Sequence, residues 1–156
     1  GGNGIDSEWP KIPESGPGRF ESGTPNLPGI AGLAKALEYF DGHPVSERFR
    51  NGNAQRQLWV EALQKIEGVE IPGEKGTSPR TPVIPLHVRG YAPEQLSAEL
   101  DAQLGVRCRS GLQCAPLAHR YLGTLEAGGT LRIAPGEETG SEIIDPVCSA
   151  LADLIR

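Results

Sequence analysis

The chain has 156 residues, 37% hydrophobic and 22% charged, which suits one domain with its own core, or one domain plus a piece of another. A net charge of −5 weighs against nucleic acid or an anionic membrane as the main partner, and no apolar run is long enough to span a bilayer. Three cysteines, an odd number at low density, weigh against a disulfide framework and point to a reducing, cytoplasmic setting.

Residues 1–27 carry no helix or strand period, only repeated glycine and proline. The chain has no methionine and opens on Gly-Gly-Asn-Gly, which reads like the middle of a loop, so the expectation is a piece of a longer protein. Pro28 suits a first helical position, and Ile30, Leu33, Ala34 and Leu37 recur at helical spacing until Asp41-Gly42. A second helix is predicted from Val45 to Glu67, with Leu58, Trp59, Ala62, Leu63 and Ile66 as its apolar face, Gly52 as a break or kink and Gly68 as its cap. Val69 to Ile71 and Pro82 to Val88 read as strands, and Pro85 predicts an edge or a bulge in the second. Ala92-Pro93-Glu94 opens a helix with Leu96, Leu100 and Leu104 on one stripe, stopped by Gly105.

Val106 to Arg109 is predicted as a short strand, Pro116 to Leu122 as a short helix and Thr130 to Ala134 as a strand. Thr139-Gly140-Ser141-Glu142 is a capping-box pattern before a closing helix, and Pro146 should kink that helix or move its start. From residue 45 onward the order predicts an α+β layer, a few-stranded sheet with helices on one face. Residues 1–44 read as an extension that belongs against something else.

The chemistry concentrates in Gly105–Thr124, GVRCRSGLQCAPLAHRYLGT. Cys114 lies between Gly111 and Pro116, among the polar Ser110 and Gln113 and downstream of Arg107 and Arg109. Those neighbours favour a loop thiol with a lowered pKa, whereas free cysteine in general is a core residue, and local sequence leaves both readings open. A zinc site from Cys108, Cys114 and His119 matches none of the usual spacings. Cys148 reads as core, and His119 as a satisfied structural histidine. Arg132, on the apolar strand Leu131-Arg132-Ile133-Ala134, is either a snorkelling edge residue or a planar fork for a carboxylate, and Arg109 carries the same ambiguity.

Four stretches in order resemble the C-terminal portion of a cysteine desulfurase, in the class V aminotransferase group of pyridoxal-phosphate enzymes. GGNG resembles the family's GGTG. Phe20 to Phe40 resembles its E-x-GTPN-x-x-GI-x-GL segment and following helix. GVRCRSGLQCAPLAHRYLG resembles its active-cysteine loop, and TLRIAPG with Glu142-Ile143-Ile144-Asp145 its carboxylate-binding strand and helix start. The resemblance implies a small C-terminal α+β domain over 45–156, with a few-stranded, mainly antiparallel sheet. It implies that 1–44 is the loop-and-helix tail end of the large cofactor-binding domain.

The resemblance also implies roles. Cys114 would be the nucleophile that takes sulfur from L-cysteine as a persulfide, releasing L-alanine. Arg132 would grip the substrate carboxylate and Arg109 would border it. Gly2 and Asn3 would reach the cofactor phosphate of a partner subunit in a homodimer, although Asn3 stands where the family has threonine. Gln113 replaces a common histidine. The implied partners are L-cysteine and a sulfur-acceptor or scaffold protein, in sulfur transfer or iron–sulfur cluster assembly. Lys11, Lys35, Lys65 and Lys75 are the chain's lysines, and none sits in the family's cofactor-lysine motif, so these residues alone should be inactive. A selenocysteine lyase, another class V aminotransferase and a non-catalytic interaction module are the alternative readings.

Overall fold

The computed structural model describes residues 8, 11–21, 23–75, 80–136 and 139–155. The chain divides into two compact units, residues 1–44 and 45–156. In the first, a 3-10 turn at Pro17–Arg19 precedes helix α1 (Leu27–Asp41). Asn26 caps α1 by accepting the Gly29 N–H on Oδ1 at 3.1 Å, and Pro28 occupies the first turn, where its missing N–H costs nothing. No residue of α1 is buried; its apolar stripe Ile30, Leu33 and Leu37 stands 55%, 60% and 55% exposed.

The second unit runs α2 (Val45–Leu63), β1 (Val69–Glu70), β2 (Ile84–Val88), α3 (Pro93–Leu104), α4 (Pro116–Leu122), β3 (Leu131–Ile133) and α5 (Ile144–Ile155), with a 3-10 turn at Ser141–Ile143 leading into α5. The three strands form an antiparallel sheet in the order β1-β2-β3. Alternation along β2 and β3 buries Ile84, Leu86, Val88, Leu131 and Ile133 on one face. Against that face α2 packs Trp59, Val60 and Leu63, α3 packs Leu96 and Leu100, and α5 packs Ile144, Val147, Ala150 and Leu151. Each valine, leucine or isoleucine among these, taken from exposed to buried, contributes about 1.5–3 kcal/mol. The opposite face carries the half-buried Pro85, His87 and Arg132. The expected α+β layer, with its main helices on one face, is what forms.

Several local expectations are corrected. Gly52 does not break α2; it is buried inside the helix, where an added Cβ would meet the Pro82 ring at 3.5 Å. The buried face of α2 is Gly52, Arg56, Trp59, Val60 and Leu63, while Leu58 is 47% exposed. The helix ends at Leu63, so Gly68 belongs to the turn into β1 rather than to a cap. Leu104, at the last turn of α3, is 36% exposed and outside the buried core.

Pro85 lies in the central strand, not at an edge or bulge. Its partner Arg132 turns both backbone groups toward Arg109, so Pro85 and Arg132 form a non-hydrogen-bonded pair. The Pro85 nitrogen therefore looks the other way, toward β1, whose pairing reaches only Val88 and His87.

The expected strand Val106–Arg109 reduces to a single bridge, Arg109 to Arg132. The capping box does not form: Thr139 Oγ1 accepts the Gly136 N–H at 2.9 Å, and the 3-10 turn has no side-chain cap. Pro146 moves the start of the last helix, falling third in α5, in the first turn where no N–H partner is lost.

Candidate active site

The site is built where the segment after α3 crosses β3. Gly105 ends α3 at φ 66°, donating to the Asp101 carbonyl at 2.8 Å while Val106 N–H returns to Leu100 at 3.3 Å. This left-handed cap, which glycine adopts without a Cβ clash, turns the chain toward the sheet. Arg109 then exchanges two backbone hydrogen bonds with Arg132: Arg132 N–H to the Arg109 carbonyl at 2.7 Å, and Arg109 N–H to the Arg132 carbonyl at 3.3 Å. Residues directly opposite in an antiparallel pair share a face, so the structure brings both guanidiniums to the open side of the sheet. Among the described residues neither arginine has an ion-pair partner, and like charges placed opposite each other repel. Such a pair is suited to an incoming anion, and a planar fork fits a carboxylate.

Beyond Arg109 the loop is stapled to the lead-in of β3. The Thr130 N–H donates to the Gly111 carbonyl at 3.2 Å. Gly129, at φ 103°, passes so close that an added Cβ would lie 2.2 Å from that same carbonyl oxygen, so only glycine fits. Leu112–Ala115 then forms a tight turn, closed by the Ala115 N–H to the Leu112 carbonyl at 2.9 Å.

Its two central residues, Gln113 at φ 52° and Cys114 at φ 62°, are both left-handed, as in a type I′ turn. A residue with a Cβ gives up roughly 1–2 kcal/mol in that region, and asparagine or glycine is usual there. The side-chain amide of Gln113 donates to the Thr130 carbonyl at 3.0 Å and more weakly to the Arg109 carbonyl at 3.4 Å.

Cys114 is exposed, which overturns its core alternative. The other two cysteines differ. Cys108 and Cys148 are half-buried against the core, and burial pushes both thiols above their ordinary value, with Asp145 adding to the effect at Cys148. Ser97 Oγ donates to the Cys108 carbonyl at 3.2 Å, tying this segment to α3. His119 is 5% exposed with Nδ1 2.8 Å from Thr124 Oγ1, the satisfied structural histidine its neighbours suggested. Among the described residues no cluster of histidine, cysteine and carboxylate stands ready for a metal, so Cys108, Cys114 and His119 are not brought together as ligands.

Gly2 and Asn3 lie outside the described residues. Lys11, Lys35, Lys65 and Lys75 are all exposed, and Lys35 pairs with Glu38, so no lysine of this chain occupies a buried slot fit to bond pyridoxal phosphate. Sequence reasoning missed Gln113 as a structural element of the site. Its partner lies 17 residues away, and no local signal announces that contact.

Known proteins resemble the chain over most of its length. Over 155 residues the chain is 27% identical to a probable cysteine desulfurase of Methanothermobacter thermautotrophicus, covering 99% of this chain and 38% of that protein. It is 31% identical over 141 residues to a probable cysteine desulfurase of Chlamydia trachomatis, covering 90% of this chain and 34% of that one. A solved apo cysteine desulfurase from Thermococcus onnurineus NA1 superposes with a TM-score of 0.77 at 27% identity, over 89% of this chain and 34% of that one. The chain thus spans little more than a third of the length of the relatives it matches. The profile of the aminotransferase class-V family matches residues 7–145, and the chain belongs to that family.

Proposed function

We propose that these residues are the small-domain part of a pyridoxal-phosphate-dependent cysteine desulfurase, with 1–44 the tail of its large cofactor-binding domain. One observation carries the reading: an exposed thiol rides on a turn hydrogen-bonded to the lead-in of β3, beside Arg132 on that strand and Arg109 bridged to it, two arginines with no ion-pair partner among the described residues. In this reading Arg132 grips the L-cysteine carboxylate with a bidentate fork and Arg109 borders it. The Cys114 thiolate attacks the substrate sulfur. A sulfur–sulfur bond forms as the substrate carbon–sulfur bond breaks, the electron pair stays with the carbon, and that carbon is protonated to give L-alanine. Cys114 is left as a persulfide.

Pyridoxal phosphate supplies the electron sink for this chemistry when bound, and the proposal assigns its covalent lysine to the rest of the whole protein. The exposure of Cys114 supports delivery of the sulfur to an acceptor protein. The exposed stripe of α1 supports its burial against a further surface in a homodimer. No helix among the described residues is long and apolar enough to cross a membrane. Three free cysteines support a cytoplasmic setting as part of the same proposal.

The test uses the natural full-length protein. It should show cofactor absorbance and release alanine from L-cysteine. Cys114→Ser should abolish persulfide formation with the absorbance retained, and Arg132→Lys should raise KM for L-cysteine about ten-fold or more, a lysine lacking the two-pronged fork. Unchanged alanine release by Cys114→Ser would overturn the reading. Alanine release from selenocysteine alone would favour a selenocysteine lyase.

A further inference from the structure

We infer that Gln113 is a positioning residue for Cys114, its side-chain amide holding the left-handed turn that carries the thiol against the lead-in of β3. The inference rests on the desulfurase reading for what the thiol does, and on geometry for how the thiol is held. Both central residues of the turn are left-handed, at φ 52° and 62°, yet neither is the glycine or asparagine that such a turn prefers. The closing Ala115–Leu112 hydrogen bond is common to turns of every type and does not select this one. What selects it is a contact outside the turn.

Gln113 Nε2 lies 3.0 Å from the Thr130 carbonyl and 3.4 Å from the Arg109 carbonyl. Both partners are acceptors, so the amide must present its NH2 end. Thr130 leads directly into the strand carrying Arg132, and Arg109 is the residue bridged to it. The brace therefore ties the turn to the same backbone that aims the two guanidiniums. With the brace lost, the turn is free to leave the left-handed region and Cys114 moves, while Arg132, fixed in β3, stays. Carboxylate binding is then preserved and sulfur attack is misaligned.

The experiment compares the natural full-length protein with three variants. Gln113→Leu has similar bulk and no donor, Gln113→Glu has the same length and only acceptors, and Gln113→His retains a ring N–H donor. Hydrogen exchange is followed at the Ala115 amide, which closes the turn, and at Leu151 in the core. In the Leu and Glu variants Ala115 should lose roughly three- to ten-fold protection, as for one hydrogen bond, with Leu151 unchanged. In the same variants kcat should fall roughly ten- to a hundred-fold from misplacement of the thiol, with KM for L-cysteine within about two-fold. Gln113→His should recover a substantial part of both.

Unchanged Ala115 exchange in the Leu and Glu variants would overturn the inference. So would a kcat that holds while Ala115 loosens, or a parallel loss at Leu151 in both variants, which marks a general structural role. Retained alanine formation by Cys114→Ser would remove the desulfurase reading alone, leaving Ala115 exchange to decide the brace.

Discussion

At the scale of single residues, the three thiols are distinguished by environment. Burial holds the Cys108 and Cys148 thiols in the protonated, unreactive form to higher pH, whereas Cys114 stands in solvent. Limiting iodoacetamide near neutral pH should therefore modify Cys114 first, read peptide by peptide in a mass spectrum; equal labelling of Cys108 would contradict the described burial. Gly129→Ala should lower stability by about 2 kcal/mol or more, since it adds a Cβ at φ 103° onto the Gly111 carbonyl. Thermal denaturation would record it. Cys114, Arg109 and Arg132 were legible as candidates because their residue types and neighbours are unusual. The contact of Gly129 with Gly111 was not, because close backbone approach leaves no mark on either residue's identity.

Among the elements, the loop after β1 is held by charge. Arg56, 7% exposed on α2, grips Glu74 with its two terminal guanidinium nitrogens, and Arg80 donates to the Gly73 and Lys75 carbonyls nearby. The hydrogen bonds from Arg56 hold the Glu74 carboxyl below its ordinary value of 4.5, outweighing its burial. A lowered folded-state pKa means that this stabilisation is present above the ordinary carboxylate range and is lost as pH falls through it. Glu74→Gln should cost about 1–3 kcal/mol at neutral pH and flatten the acid limb of the stability curve below roughly pH 5. A variant with an unaltered acid limb would count against the pair.

Gly52→Ala has the opposite sign. Its Cβ meets the Pro82 ring at an ordinary 3.5 Å, and alanine in a helix interior is better than glycine, so stability should rise by about 0.5–1 kcal/mol in urea melts. Helix α3 was readable in the sequence nearly to its ends because proline starts it and glycine stops it. Pro85 misled because a proline in a central strand is tolerated only where the neighbouring strand falls short, and strand lengths are settled in three dimensions.

For the whole molecule, every residue of the buried core among the described residues belongs to the unit 45–156. That piece expressed alone should unfold cooperatively, with a Tm within a few degrees of the full chain. A collapsed, non-cooperative transition would show that residues 1–44 are needed for folding.

The order of the helices and of the three paired strands, the Leu96 and Leu100 face of α3 and the cluster of chemical residues around position 114 could all be read from the chain alone. They depend on short-range spacing, which the chain itself carries. The pairing of Arg109 with Arg132, the bracing amide of Gln113 and the burial that separates Cys108 from Cys114 emerged only from the folded chain. Each joins or shields residues distant in sequence, and it is the closing of the sheet that brings them within hydrogen-bonding distance or away from water.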